Sequence, residues 1–269
     1  MNDETFPPEL NRYEVISCGR GTVRKNWSKN LIPHPSHRLY SIHKGSAKMI
    51  SIEGSSIKLL PKHIYLFPSG RMRESHCDYS MDHSFINFQT LYPFESEQLN
   101  RIPLSNGYIP ENKNYANALF AQIFENRKNT NEHAPLLINA GITLLLAPFL
   151  QLISPATKEQ IRFRPVLRYI EKNLDKPILL ESLSAILRID TIYFSSIFAK
   201  YTGLSPRQYI IKKQIEKSQQ LLFSTNLKVK EIAVRVGIED DRYFSRLFKN
   251  KTQITPLNYR EKSRNELSL

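Results

Sequence analysis

The C-terminal part of the chain contains the same short sequence twice, and this repeat restricts the fold more than any other feature. The segment 193–198 (YFSSIF) recurs at 243–248 (YFSRLF), and LSPRQY at 204–209 recurs at the same offset of 50 residues as ITPLNY. Each copy predicts a short apolar helix, a tight turn and a second helix with polar groups on one face. Helix–turn–helix units of this size fit the DNA major groove. Helical repeats that bind proteins need about three or more copies to bury a core, so two copies favour DNA.

Most of the positive charge lies in the same part of the chain. Residues 156–269 contain 22 Lys and Arg against 12 Asp and Glu, whereas residues 1–155 contain 16 against 13. The C-terminal part therefore carries +10 of the net charge of +13. Clustered positive charge suits a polyanion, because each neutralised phosphate releases a condensed counterion. The competing class is a basic protein on a membrane surface, which requires a long amphipathic helix with a basic face; no segment convincingly supplies one.

Cysteine content and the N-terminus indicate a cytoplasmic protein. Only Cys18 and Cys77 occur, without a CxxC pattern, which favours a reducing compartment and argues against a structural zinc site. The first residues are acidic and include no apolar run, so no secretory signal is expected. Segment 135–153 is apolar and about long enough to cross a bilayer, but Asn139 and Pro148 interrupt it. We interpret it as a buried or dimer-forming helix and expect no membrane association.

The pattern of apolar residues predicts an α+β protein of two domains. From about residue 13 to 89, short β-type runs alternate with Gly and Pro breakers, as in a small β-barrel or sandwich. A helical period follows, so residues 1–155 are expected to form a barrel over about 13–105 and helices over about 111–153.

The polar stretch 156–163 is interpreted as a linker, and residues 164–269 as an all-α domain of seven helices with two helix–turn–helix units. Pro165 is expected in the first turn of the first helix, where a proline is well placed. Asp190 is expected to cap the second helix of the first unit, and Gly237 to end a helix in a left-handed conformation.

The region from Arg164 to Arg260 resembles the C-terminal DNA-binding domain of the AraC/XylS family of bacterial transcription regulators. The resemblance rests on the doubled YFSx(I/L)F helix, on the doubled (S/T)PxxY motif, and on the turn IAxxVG at 232–237. One departure is Arg188, which stands where the second unit has Gly237. The N-terminal half looks like the cupin-type barrel of the family's effector-binding domains, through the segments HRLY at 37–40 and FINF at 85–88.

The resemblance implies a division of labour within the second helix of each unit. The repeated aromatic and aliphatic residues at 193, 194, 197 and 198, and their counterparts, are expected in the core. The polar positions between them are expected to contact bases: Thr191, Ile192, Ser195, Ser196, Asp241, Arg242 and Arg246, with Ser245 a weaker candidate. Arginine forms two hydrogen bonds with guanine, whereas an apolar side chain contacts the thymine methyl group. Phosphate contacts are expected from Arg188, Lys200, Arg207, Lys249 and Arg260. The alternative is that some of these side chains only cover the helix surface.

The resemblance also implies a small-molecule effector, such as a sugar or another metabolite, in the barrel. Strand alternation places Arg38 and Tyr40 on one face. If that face is internal, both would bond an anionic or hydroxylated ligand, Asn87 would close the pocket, and Trp27 would stack on a sugar ring. The alternative is that the barrel is filled by its own side chains.

No metal, cofactor or enzymatic activity is predicted. Cupins often bind metal through His-x-His, a following Glu and a later His, a spacing that the seven histidines do not have. The related DNA-binding domain occurs fused to a DNA-repair methyl acceptor, but neither Cys18 nor Cys77 lies in that acceptor's motif.

The sequence therefore predicts a sequence-specific regulator of bacterial transcription that binds double-stranded DNA. It is expected to form a homodimer through the helices between Asn112 and Ile153, to respond to a ligand, and to contact RNA polymerase if it is an activator. Activation and repression both remain open. The alternatives are a regulator whose N-terminal domain only dimerises, and a protein that coats DNA without a fixed site.

Overall fold

The computed structural model describes residues 12–27, 29–30, 36–91, 93–104, 107–129, 131–152 and 157–265. The chain folds into two compact units that divide near residue 154. Among the described residues, the first contains the strands and three α-helices, and the second contains helices only. This arrangement confirms the α+β fold class.

The first unit contains two four-stranded antiparallel sheets, with strand orders β1-β8-β3-β6 and β2-β7-β4-β5. A core cluster draws on both sheets, with Tyr40 and Phe67 from the first and Met49 and Met72 from the second. Among the described strands, the two sheets are not joined into one closed barrel. The strands are β1 (Tyr13–Arg24), β2 (Lys29–Asn30), β3 (His37–Gly45), β4 (Ala47–Ser51), β5 (Ser56–Leu59), β6 (Ile64–Phe67), β7 (Met72–His76) and β8 (Ser80–Thr90).

The first sheet is covered on both faces. Strand β3 is buried at every residue from His37 to Ile42. Tyr40 faces the cluster shared by the two sheets, whereas its neighbour Leu39 belongs to a second cluster formed with helices. Such two-sided burial explains why β3 lacks the apolar–polar alternation of a strand with one wet face.

Three helices follow in the first unit: α1 (Pro93–Arg101), α2 (Lys113–Lys128) and α3 (Ala134–Leu150). Gly141 of α3 lies against α2, where an added Cβ would come within 3.0 Å of the Ile123 side chain. Asn139 is buried, and its Oδ1 accepts hydrogen bonds from the backbone N–H groups of Arg12 and Tyr13 at 2.6 and 2.7 Å. The polar residue that interrupts the apolar run therefore ties α3 to the start of β1.

The second unit contains the seven predicted helices: α4 (Lys158–Lys172), α5 (Leu180–Leu187), α6 (Thr191–Thr202), α7 (Pro206–Ser224), α8 (Val229–Arg235), α9 (Asp241–Thr252) and α10 (Pro256–Asn265). No single described helix is long and apolar enough to span a bilayer; α5 and α6 meet those criteria only together, across an 83° bend.

The interpretation of residues 156–163 as a linker is wrong from residue 158 onward, because these residues form the first turns of α4. A capping box starts the helix early: Thr157 N–H donates to Gln160 Oε1 at 2.8 Å, and Gln160 N–H donates to Thr157 Oγ1 at 3.2 Å. Pro165 consequently lies inside the helix and not in its first turn. Its missing N–H leaves the carbonyl of Ile161 to solvent, and both residues are exposed.

Two buried histidines make the stability of the first unit depend on pH. Burial lowers the pKa of His37 to about 3 and that of His83 to about 4. An unfolded histidine titrates near about 6.5, so the unfolded chain binds more protons below that pH. The free energy of unfolding should be constant with respect to these groups above about pH 6.5. Below it, each histidine should remove about 1.4 kcal/mol per pH unit until its folded pKa is reached.

Urea unfolding between pH 7.5 and 4.5, followed by a signal from the first unit, measures this dependence. His83→Gln should reduce the slope by about one histidine's share. Equal slopes for the wild type and the variant would contradict the assignment of His83 as buried and neutral.

Candidate nucleic-acid interface

Each helix–turn–helix unit is built on the same aromatic core. In the first helix–turn–helix unit, Phe194 and Phe198 are fully buried, and their ring centroids are 5.4 Å apart. Tyr209 of α7 meets Phe198 edge-on at 5.4 Å. In the second, Phe248 meets Tyr259 of α10 edge-on at 5.5 Å. The prediction that the repeated phenylalanines form the core is confirmed by their burial.

The other repeated aromatic residue behaves differently. Tyr193 and Tyr243 were expected in the core, but their side chains are 54% and 43% exposed. Each lies at the edge of the repeated aromatic and aliphatic face of its helix. The expectation of burial at these two positions is therefore wrong.

An aspartate fixes the first turn of each second helix. Asp190 Oδ1 accepts from Ile192 N–H at 2.8 Å and Tyr193 N–H at 3.2 Å, which confirms the predicted cap. Asp240 makes the corresponding bonds to Arg242 and Tyr243 in α9. The hydrogen bond from the Tyr243 backbone lowers the pKa of Asp240, so its carboxylate remains charged.

The predicted base-contacting residues divide into exposed and half-buried sets. Ile192 is 81% exposed, and Ser196, four residues later, lies on the same stripe of α6. Arg242 and Arg246 form the equivalent exposed stripe of α9. The half-buried set, at the margins of these stripes, comprises Thr191, Ser195, Asp241 and Ser245.

Four of the five predicted phosphate-contacting residues are exposed: Arg188, Lys200, Arg207 and Lys249. Arg188 has a left-handed backbone, with φ 54° and ψ 46°, and forms the C-cap of α5. A non-glycine residue in this conformation costs about 1 kcal/mol. Its side chain projects from the turn between the two helices of the first unit.

Arg260 has a role within the fold. Its Nε donates to the carbonyl of Leu222 at 3.3 Å, and its Nη2 donates to the carbonyl of Leu227. These carbonyls lie at the end of α7 and in the loop that follows. The guanidinium therefore holds α10 against the C-terminal end of α7, and the phosphate contact predicted for Arg260 stays a prediction.

Gly237 is required on two grounds. Its φ is +74°, and a Cβ at this position would lie 2.5 Å from the carbonyl oxygen of Leu174. Leu174 follows α4, so the turn of the second unit packs against the backbone of the first. A cleft of about 710 Å³ begins beside Gly237 and lies between the two helix–turn–helix units. Residues of both line it, including Ile178, Leu183, Ile210, Tyr243 and Leu247.

In the first unit of the chain, the four predicted effector residues lie inside the fold. Trp27 and Tyr40 are buried in the cluster between the sheets. Arg38 is buried and pairs with Asn87 across β3 and β8. Asn87 Nδ2 donates to Ser17 Oγ at 2.9 Å. The structure therefore brings three of the four onto one inner sheet face, with Trp27 in the same core.

Two further residues on this face, His83 and Gln89, are not among the predicted effector residues. His83 Nδ1, Asn87 Oδ1 and Gln89 Nε2 are buried polar atoms without a hydrogen-bond partner among the described residues. Alternation along β8 places all three on the side that faces the second sheet. The pattern of odd-numbered polar residues in β8 was the available signal. Within the described residues, no three His, Cys, Asp or Glu side chains are grouped to hold a metal ion.

Comparison with known proteins identifies a helix–turn–helix domain in the C-terminal part of the chain. A family model described as a helix–turn–helix domain matches residues 183–262. The uncharacterized HTH-type transcriptional regulator YisR of Bacillus subtilis is 34% identical over 107 residues, which cover 40% of this chain and 37% of YisR. The chain thus spans well under two thirds of that relative. The Msm operon regulatory protein of Streptococcus mutans is 23% identical over 97% of this chain and 95% of its own length.

A solved structure shows a related fold. ToxT of Vibrio cholerae matches 93% of this chain and 98% of its own chain, with 15% sequence identity and a TM-score of 0.54. The likeness extends over both the sheet-containing and the helical parts of the chain.

Proposed function

We propose that this chain, whose residues 183–262 are an AraC-type helix–turn–helix domain, is a sequence-specific DNA-binding regulator of transcription. The observation that carries the proposal is the pair of exposed stripes on two scaffolds of identical aromatic residues. One stripe consists of Ile192 and Ser196, and the other of Arg242 and Arg246. The scaffolds repeat but the stripes differ, so each unit would read its own bases. A protein that coats DNA without a fixed site needs no such difference.

The proposed complex places α6 and α9 in successive major-groove segments. Helices that read one face of the duplex do so about one helical turn apart, roughly 10 base pairs. The contact between Gly237 and the Leu174 backbone supports a fixed spacing between the two units. The exposed Arg188, Lys200, Arg207 and Lys249 would contact phosphates on either side.

Replacement of Arg246 tests the reading of bases. Arg246→Ala should lose about 1–3 kcal/mol of discrimination at one base pair of a site selected from random DNA, because a bidentate contact to guanine is lost. The matched control is Lys249→Ala in the same helix. It should weaken selected and random DNA about equally and reduce the salt slope by about 0.9.

Fluorescence anisotropy with both DNAs at several salt concentrations separates these outcomes. Arg260 is unsuitable as the control because its guanidinium supports the fold. Equal losses for both variants on both DNAs would contradict the assignment of Arg246 to base reading, and the absence of any selected motif would contradict sequence specificity.

The compact unit that contains the two sheets is proposed to bind a small polar ligand between them. A buried polar atom without a partner costs free energy, and three such atoms lie on the inner face of β8. They comprise an amide donor, an amide acceptor and an imidazole nitrogen. Hydroxyl groups both donate and accept, so a sugar or another hydroxylated metabolite suits this set. The second candidate is a unit that dimerises without a ligand.

Thermal unfolding of the full chain against a panel of sugars and hydroxy acids distinguishes these candidates. A ligand present at about a hundredfold excess over its Kd should add about 2.7 kcal/mol of stability. Asn87→Leu should abolish the shift while leaving a folded protein, because it removes the unpaired Oδ1, at the loss of one hydrogen bond to Ser17, and puts an apolar group of similar size in its place. Unchanged midpoints across the panel would favour the dimerisation unit.

Self-association is proposed to occur through the outer face of α3. This face is a row of exposed residues whose spacing alternates between three and four, as in a coiled-coil seam. The row consists of Leu137, Ala140, Leu144, Ala147 and, just after the helix, Gln151. Gly141 does not belong to this face, because it is buried against α2. The apolar face left exposed supports an interface with a second copy.

Leu144→Glu should convert a dimer into a monomer of 31.3 kDa, because a charge would enter the interface. Thr143→Glu adds the same charge one position away from the seam and should preserve the dimer. Sedimentation at micromolar concentration measures both. A wild-type monomer, with and without DNA, would contradict the proposal.

Neither cysteine supports a methyl-acceptor activity, and we propose that the chain is not an enzyme. Burial raises the pKa of the Cys18 and Cys77 thiols, whereas a nucleophilic cysteine needs a lowered pKa. The bifunctional activator and DNA-repair enzyme AdaA of Bacillus subtilis matches only 38% of this chain.

A further inference from the structure

The aromatic side chains that are identical in the two helix–turn–helix units fall into two groups. The larger group is buried in both units, as are Phe194 with Phe244, Phe198 with Phe248, and Tyr209 with Tyr259. The tyrosines at 193 and 243 are identical as well, yet 54% and 43% exposed. Packing explains the first group, but it does not explain why a surface position is a tyrosine twice.

The two exposed tyrosines occupy the same place on their helices. Each is the third residue of its helix, and its backbone N–H bonds to the capping aspartate, at 3.2 Å in α6 and 3.0 Å in α9. A helix turns by about 100° per residue. Tyr193 is therefore about 60° from Ser196, at the flank of the stripe proposed to face the bases, and Tyr243 has the same position relative to Arg246.

The flank of a helix in the major groove faces the wall of the groove, which is formed by the sugar–phosphate backbone. The backbone is also the one part of DNA that is chemically the same at both half-sites. The stripe residues differ between the units, Ile192 and Ser196 against Arg242 and Arg246, as readers of different bases would.

We infer that Tyr193 and Tyr243 are a matched pair of phosphate contacts, in which each phenol O–H donates a hydrogen bond to a phosphodiester oxygen. This inference rests on the proposed DNA-binding function. The contacts position the two helices and carry no base preference. The cleft between the units does not account for the pair, because Tyr243 lines it and Tyr193 does not.

The test uses the full chain with the single variants Tyr193→Phe and Tyr243→Phe and with the double variant. Phenylalanine retains the ring and removes only the hydroxyl group. Each single variant should raise Kd about tenfold to a hundredfold, the range for a hydrogen bond to a charged group. Selected and random DNA should weaken alike, and base preference in a random library should not change.

The salt dependence of Kd distinguishes a charged contact from a phenol contact, because loss of a charged contact changes it and loss of a phenol hydroxyl does not. The slope of log Kd against log salt should stay at the wild-type value in both Phe variants, because a neutral phenol displaces no counterion. Lys249→Ala should lower that slope by about 0.9. Tyr79→Phe is the matched control, because Tyr79 is also an exposed tyrosine but lies between β7 and β8, outside the helix–turn–helix units. Its Kd should equal that of the wild type.

Wild-type Kd in both Phe variants would overturn the inference, and so would a changed base preference, which would make the tyrosines base readers. Failure of the proposed function looks different, since the wild type would then select no motif. Thermal midpoints should match the wild type in the Phe variants, and a fall that accompanies weaker binding would assign the tyrosines a structural role.

Discussion

The recognition helices, α6 and α9, are each held in place by an edge-on contact between a phenylalanine and a tyrosine. The rings of Phe198 and Tyr209 meet at 88°, and those of Phe248 and Tyr259 at 84°. Such contacts contribute about 0.5–1.5 kcal/mol beyond the burial of the rings. In each pair the tyrosine belongs to the next helix, so the apolar face of the recognition helix is anchored from behind. The polar face is thereby left without a packing role and is available to DNA.

The same arrangement explains why the two copies diverge where they do. Gly237 must be glycine because the backbone of the first unit comes within 2.5 Å of where its Cβ would be. Arg188, at the matching turn, has the left-handed backbone but an exposed side chain. At the C-terminal ends of α6 and α9 the situation is the opposite. The first copy has a glycine, Gly203, and the second has Gln253, although both residues have a positive φ. Backbone conformation is shared by the copies, whereas the neighbours that forbid a side chain are not.

In the first unit, the sheet β1-β8-β3-β6 has a different neighbour on each face. One face packs on α2 and α3 through residues such as Leu39 and Phe88, and the other belongs to the cluster between the sheets. Polar residues on that second face, Arg38 and Asn87 among them, are removed from water. Because both faces of this sheet are buried, the polar side chains on its inner face are enclosed within the fold, and its central strands remain covered.

Much of the second unit could be predicted from the sequence alone. The seven helices, the buried phenylalanines and the Asp190 cap depend on residues within about four positions of one another, and such local patterns are readable. The early start of α4 was readable too, from Thr157 and Gln160, but Pro165 gave the more conspicuous signal.

Tertiary structure decided the rest. The repeated aromatic and aliphatic residues of α6, at 193, 194, 197 and 198, span about 140° of the helix surface. Neighbours distant along the chain decide that Phe194 is covered and Tyr193 is exposed. Arg260 contacts carbonyls 33 and 38 residues away, which no local pattern encodes. Likewise, alternation groups Arg38 with Tyr40, but the second sheet and α2–α3 decide which face is internal. The sequence by itself determined the elements and their apolar faces, because those depend on near neighbours. The edges of the faces, and the polar groups left for DNA or a ligand, were decided by partners distant along the chain.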